Sequence, residues 1–352
     1  MSNYSDLTKL RDENIRSIRK LNAILTLADD ELAKAIAKTK LKYPTTYKQG
    51  AFYARNKSLS KDINKIITQL QSDLKIAMTG SVEKSWNLAN SKNDAGVSSY
   101  LKGLSISSSV RSSFMQLNLD ALQAFIKRSD NGITFSDRIW NLANGKQDSL
   151  EQFLASGITT GRSAAGISRD IRLFETNPNK LFRRVRDEDG ILQLSKAARA
   201  YHPGRGVYRS SYKNAMRLTR TENMIAYHTS DFKRVQQLPF VIGVKVNLSA
   251  SHPKLDICDP MSGIYPKEFV FTGWHPHCLC YQTTILSKKK DFINFINNGT
   301  PITGQVKRIP VSAGRYLKDN RTKIFAMKSK PYWLSDNFSK GYNFKNKSIN
   351  PI

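Results

Sequence analysis

Phe240-Val241-Ile242-Gly243-Val244-Lys245-Val246-Asn247-Leu248 is the stretch that sets the fold class. Its even-numbered positions are all apolar, while Lys245 and Asn247 fall between them. That period of two, in β-branched residues, predicts a half-buried strand. A second strand is expected over Cys280 to Leu286. Just before the first strand, Ser211 to about Gln237 predicts a helix with Ala215, Leu218, Ile225 and Ala226 on one side.

Upstream the pattern is helical. Leu7, Leu10, Ile15, Ile18, Leu21 and Leu25 recur among Asp, Arg and Lys, and Ile63, Ile66, Ile67, Leu70, Leu74 and Met78 repeat the spacing. Ser60 with Asp62 reads as a helix start, and Leu119, Leu122, Phe125 and Ile126 form a further stripe. Pro44 and Ser107 to Ser109 read as breaks, and Asp187-Glu188-Asp189-Gly190 as a turn. One echo is present: Trp86-Asn87-Leu88-Ala89-Asn90 returns as Trp140-Asn141-Leu142-Ala143-Asn144. Two helices with similar packing explain it better than a repeat array. The expected class is therefore α+β, a mainly helical N-terminal region followed by a small α+β domain with a short antiparallel sheet.

The chain has 352 residues, enough for more than one ordinary domain, and 39% are hydrophobic, enough for a core. Its charge is exceptional: 56 Lys and Arg against 28 Asp and Glu, a net of +28. So basic a chain repels itself unless a polyanion neutralises it. Three cysteines are too few for a secreted disulfide framework. Met1 to Leu10 lacks a signal-peptide layout. The longest apolar run, Leu238 to Val246, falls far short of the roughly 20 residues that span a bilayer. These features lead us to expect a soluble protein of a reducing cytoplasm, with no membrane partner.

Residues 251–286 carry 2 basic and 3 acidic groups, whereas residues 287–352 carry 14 and 3. The non-basic island holds all three cysteines and three of the five histidines: His252, Cys258, His275, His277, Cys278 and Cys280. Thiolate and imidazole are the usual zinc ligands, and a closed structural site takes four. In an extended segment Cys278 and Cys280 point the same way. With Cys258 and one of His275 or His277 they make a three-cysteine, one-histidine set, of which Cys258, His275, Cys278 and Cys280 is the version carried forward, for one structural zinc. The alternative is three reduced cysteines in ordinary packing. The zinc-deaminase and metalloprotease strings are absent. A thiolate–imidazole nucleophile at Cys258 or Cys278 beside His275 is the remaining catalytic option.

Residues 180–217 interleave basic and aromatic side chains. Arg183, Arg184, Arg186, Arg205 and Arg209, with Lys288, Lys289 and Lys290 further on, are the candidate contacts to a phosphate backbone. No reading helix is recognisable, so binding is expected to ignore base sequence.

Several strings occur together in order. Gly132-Ile133-Thr134-Phe135-Ser136-Asp137-Arg138-Ile139-Trp140 comes first, then Gly157-Ile158-Thr159-Thr160-Gly161-Arg162-Ser163 leading to Ile167-Ser168-Arg169-Asp170-Ile171-Arg172. Ala215-Met216-Arg217-Leu218-Thr219-Arg220-Thr221-Glu222 follows, and Asp256-Ile257-Cys258, Gly263 and His275-Pro276-His277-Cys278-Leu279-Cys280 close the series. The series, over about 150 residues, resembles the phage Mu F-like head morphogenesis proteins, also called minor head proteins. Met261 stands where many members have a second cysteine. The resemblance implies a helical region over 1–130, the Mu F-like unit over 131–286 and a basic C-terminal tail over 287–352, in which Pro331-Tyr332-Trp333-Leu334 is a candidate anchor. It implies a non-enzymatic minor structural protein of a tailed-phage head, acting in assembly or in genome packaging and ejection. Its partners would be the portal or major capsid protein and double-stranded DNA, with no small-molecule substrate. It would be found in the virion, in the head interior near the portal, and in host cytoplasm during assembly. The alternative is a nucleic-acid-processing enzyme or toxin effector centred on His252, Cys258, His275, His277 and Glu222.

Overall fold

The computed structural model of the chain describes residues 4–40, 51–130, 132–159, 163–176, 185–186, 188–193, 210–250, 252, 255–327 and 331–338. In chain order come helices α1 (Tyr4–Ala37), α2 (Ala51–Arg55), α3 (Lys57–Leu101), α4 (Ser108–Ser113) and α5 (Leu119–Lys127), then strands β1 (Ser129–Asp130) and β2 (Ile133–Thr134). Helices α6 (Phe135–Thr159) and α7 (Ala164–Thr176), strands β3 (Val185–Arg186) and β4 (Leu192–Gln193), and helix α8 (Ser211–Gln236) follow. The last part holds β5 (Val241–Asn247), α9 (Cys258–Met261), β6 (Gly263–Tyr265), β7 (Tyr281–Leu286), α10 (Lys289–Asn298), α11 (Val311–Asp319), α12 (Arg321–Ala326) and α13 (Tyr332–Asn337). The class is α+β: a long helical N-terminal region with small antiparallel sheets later in the chain.

Two compact units are interleaved in sequence. One comprises Met1–Asn14, Ser81–Phe125 and Arg220–Ile352; the other comprises Ile15–Gly80 and Ile126–Thr219. The divisions at 130 and 286 follow motif order, whereas packing groups residues far apart in the chain.

The unit containing Ile15–Gly80 is a helical assembly with two small hairpins. The stripes read from the sequence supply its core: Ile18, Leu21 and Leu25 on α1 and Ile63, Ile67, Leu70 and Leu74 on α3 are buried, as are Ile139, Leu142 and Phe153 on α6, whereas Ile15 of the α1 stripe is exposed. Helix α3 begins at Lys57, earlier than Ser60 and Asp62 suggested, because Asn56 is buried and its Nδ2 donates to the Phe52 carbonyl at 2.9 Å, joining α2 to α3. The start of α6 is a reciprocal cap. Asp137 Oδ2 accepts from the Thr134 amide at 2.8 Å and from its hydroxyl at 2.7 Å, while the Asp137 amide donates to Thr134 Oγ1 at 3.1 Å. Those bonds hold the Asp137 carboxyl below its usual range. Of the turn expected over 187–190, residues 188–190 are described and lie between β3 and β4, with Gly190 in the left-handed region at φ 77°.

In the other unit β5 is the central strand of a three-stranded antiparallel sheet, ordered β6-β5-β7, with Val244 opposite both Tyr265 and Thr284. Alternation holds from Val244 to Asn247, but a bulge at Val241–Gly243 breaks it, so Phe240 and Val241 are both buried. Gly243 is required there: a Cβ would lie 2.4 Å from Val306 Cγ2, where Val306 donates its amide to the Ile242 carbonyl. Strand β6, which the sequence reading missed, is only three residues long.

The segment after Ser287 is not an appended tail where it is described. Phe292, Ile302, Ile309, Ala313, Leu317, Ile324, Trp333, Leu334 and Phe338 belong to the same core as Phe240, Val244 and Val246. Trp333 Nε1 donates to the Trp274 carbonyl at 3.1 Å. Buried Asn337 serves Val270 like a neighbouring strand, accepting from its amide at 2.7 Å and donating to its carbonyl at 2.8 Å. Pro331 to Leu334 is thus part of the main core. The helices after α10 run six to nine residues, too short for periodicity to reveal.

The Trp-Asn-Leu-Ala-Asn echo has a structural counterpart, one in each unit. Ala89 and Ala143 are both buried, and six residues after each tryptophan stands a buried lysine. Lys92 Nζ meets Asp231 Oδ1 at 2.5 Å, and Lys146 Nζ meets Asp29 Oδ1 at 2.5 Å. The tryptophans differ: Trp86 is fully buried, and Trp140 is 56% exposed. A buried charge deprived of its partner costs more than the pair contributes. Replacing Lys146 by Met is therefore expected to lower stability by about 3–5 kcal/mol, and adding Asp29→Leu to restore most of it. Urea unfolding of the wild type, the single and the double variant measures both steps.

Candidate metal centre

Cys258 opens the single turn α9, where its amide is fixed by Asp256 Oδ1 at 2.6 Å. Cys278 and Cys280 precede β7 in extended chain; both are buried while Leu279 between them is 51% exposed, as period two requires. His277 sits in the left-handed region at φ 64°, which closes a tight turn in which the Cys278 amide donates to the His275 carbonyl at 3.1 Å. The turn sends Cys278 back toward α9. Gly273 also lies in the left-handed region, at φ 103°, and a Cβ there would lie 3.3 Å from Cys278 Cβ.

The three sulfurs lie within 4.8 Å of one another. Cys258 Sγ and Cys278 Sγ are 3.8 Å apart, matching the ~3.8 Å edge of a tetrahedron whose metal–sulfur bonds are about 2.3 Å. The buried cluster can hold a metal ion. His275 Nε2 is 3.2 Å from Cys258 Sγ. Its Nδ1 lies 2.8 Å from the Pro276 carbonyl and donates to it, which leaves the lone pair on Nε2. Asp256 Oδ2 is 3.4 Å from that same Nε2. Sulfur, carboxylate oxygen and imidazole nitrogen thus converge on one point. Of the two histidines left open by the sequence, His275 is the one beside Cys258, but it lies outside the group of three sulfurs that are all within 4.8 Å of one another.

Three adjacent thiols cannot all ionise unaided. The Cys278 thiol is held far below its usual range because Cys258 and Cys280 donate to it; Cys258 is pushed up by its bond to Cys278 and by burial. One negative charge is shared, and a divalent ion would stabilise the other two. Outside the sulfurs, His252 Nε2 pairs with Asp259 Oδ2 at 3.0 Å, and that bond raises His252 above 6.5. His252, Asp256 and Cys258 form a second group of ligand atoms within 4.8 Å, sharing Cys258.

His228, which the sequence reading left without a role, lies in this neighbourhood. It is fully buried, edge-on to Phe271 at 4.7 Å, and neither ring nitrogen makes a well-formed hydrogen bond. Burial pushes it down to about 4, and it also feels the charges of Asp231, Lys92 and Cys278. Glu222 is buried, and together with Cys278 it adds to the burial that pushes the Tyr332 hydroxyl up. A lone histidine on a helix carries no sequence signal; only the packing of α8 marks it.

Arg183, Arg184, Arg205 and Arg209 lie outside the described residues, and Arg186 is in β3 opposite Leu192. Lys288, Lys289 and Lys290 are exposed at the start of α10, where Lys289 donates to the Lys102 carbonyl at 2.8 Å. Among the described residues no helix is long and apolar enough to cross a membrane. No protein-family model, curated protein or solved structure matches the chain.

His228 stays neutral in the fold but takes a proton near 6.5 when unfolded, so the unfolded state binds more protons between pH 6.5 and about 4. Stability is expected to fall by up to about 3 kcal/mol as pH drops through that window. His228→Phe should flatten this part of the profile, as denaturant midpoints across pH will reveal.

Proposed function

We propose that this chain is a minor head protein of a tailed phage, sited in the head interior near the portal. It binds double-stranded DNA without regard to sequence, docks on portal or major capsid protein, and catalyses nothing. The observation that carries this reading is where the cations sit. Lys92, Lys146 and Arg234 are buried and each meets an aspartate. The excess behind the net charge of +28 is left with too few acids to pair with. Lys288, Lys289 and Lys290 stand at the positive end of a helix, where cations are locally unfavourable. A dense phosphate polymer supplies the compensation that the chain lacks. The ordered strings from Gly132 to Cys280 support the same reading. Arg183, Arg184, Arg186, Arg205 and Arg209 remain the proposed contacts on the chain between α7 and α8.

The sulfur cluster serves in this reading as a structural zinc site, with Cys258, Cys278, Cys280 and His275 as the four ligands. When bound, the ion supplies a cross-link between α9 and the start of β7. Asp256 orients the site by fixing the Cys258 amide, and the Pro276 carbonyl fixes the His275 tautomer. The contact between Cys258 and His275 also suits a thiolate nucleophile, but Cys258 is 1% exposed, which a substrate could not reach without opening the core.

Metal analysis of protein purified without a histidine tag is expected to find one zinc per chain. Cys278→Ser should lose it and melt at lower temperature; wild type free of metal, with three reactive thiols, would refute the site. Affinity for unrelated duplexes should fall with salt, with a log–log slope of about −0.9 per phosphate neutralised. Affinity flat in salt, strong preference for one sequence, or turnover of DNA or RNA abolished by His275→Ala would each count against the function.

A further inference from the structure

We infer that the exposed basic face formed by α11 and the chain on either side of it, Lys307 to Lys323, is the surface on which duplex DNA lies; this rests on the polyanion reading above. Lys307, Arg308, Arg315, Lys318, Arg321 and Lys323 fall in this stretch with Asp319 as its one acid. All six cations are exposed. Among the described residues, Lys307, Arg308, Arg315, Lys318 and Lys323 pair with no carboxylate. This differs from the interior of the same unit, where Lys92 and Arg234 each hold an aspartate.

The face is rigidly mounted. Ala313, Gly314 and Leu317 are buried in the core, which leaves Arg315 exposed opposite them and Lys318 exposed at their flank. Helix α11 packs on α9, and Pro310 at its N-terminus closes on Gly263 so tightly that a Cβ there would lie 2.7 Å from Pro310 Cγ. Arg315 and Lys318 are thus presented by a helix seated in the core rather than by a loop. A preorganised array loses less side-chain freedom on binding.

The chemistry of the face narrows the partner. Tyr316, the one aromatic on α11, is half-buried, so no exposed platform for stacking unpaired bases is offered. Asn320 Nδ2 donates to the Tyr316 carbonyl at 3.0 Å and is occupied within the fold. Arg315 and Lys318 are left to meet phosphates, not base edges. Paired strands satisfy that better than single strands do.

The test is fluorescence anisotropy of the full chain on a random-sequence duplex between about 50 and 200 mM salt. Arg315→Glu/Lys318→Glu is compared with Lys61→Glu/Lys65→Glu, an equal charge reversal at exposed positions on α3. The α11 variant is expected to bind about tenfold or more weakly at low salt and to lose about 2 from the salt slope, while the α3 variant changes far less. Steep salt dependence in wild type with both variants alike would overturn this assignment and leave the polyanion reading standing. Tighter binding of wild type to a single strand of equal length, or to phosphatidylserine vesicles, would overturn it in favour of those partners. No salt-dependent duplex binding by wild type would remove the polyanion reading and this surface with it.

Discussion

A buried charge must have a partner, and this chain has half as many acids as bases. That constraint orders the molecule. The cations that go inside are each given an aspartate: Lys92 takes Asp231, Lys146 takes Asp29, and Arg234 takes Asp94 while donating to the Phe114 carbonyl at 2.9 Å. Asn93 Nδ2 donates to Asp231 at 2.8 Å, and Lys92 lies 5.6 Å from the centre of the Tyr227 ring. Among the described residues no other Lys or Arg is buried. The polyanion reading is the functional side of that same constraint.

The sulfur cluster and the aromatic core work together in the unit that holds them. Tyr265 stacks on Phe269 at 4.0 Å, Phe271 meets Trp274 edge-on at 5.2 Å, and Trp274 meets Trp333 at 5.7 Å. The chain between β6 and β7 has little regular structure, so its backbone depends on such contacts and on Asn337 for satisfaction. Cys258, on the helical turn before β6, meets His275 and Cys278 near the far end of that irregular stretch, which is where a bound ion adds most. Helix α11 sits on α9, and the basic face therefore stands on the helix that carries Cys258.

Legibility in the sequence followed the length of the pattern. The stripes on α1 and α3 run over many turns, so Ile18, Leu21, Ile63 and Leu70 were visible as core. Phe240 to Leu248 was visible as a strand, but its bulge was not, because the bulge depends on Val306 docking from a distant part of the chain. The helices after α10 were missed because six to nine residues give too few turns to establish a period. At the site, Cys258, Cys278 and Cys280 were legible because thiols are rare here and share one non-basic island. His228 was not, since its place beside them is made by the packing of α8.

By itself, the sequence determined the α+β class, the charge surplus and the cysteine–histidine island, since each is a property of composition or short-range period. Only the tertiary structure decided that His275 stands beside Cys258, that the residues after Ser287 complete a core, and that the lysine after each Trp-Asn-Leu-Ala-Asn is buried against an aspartate. Those outcomes join residues from 17 to 192 positions apart. Nothing local specifies such pairings; they are fixed by which surfaces close on one another when the apolar faces leave water.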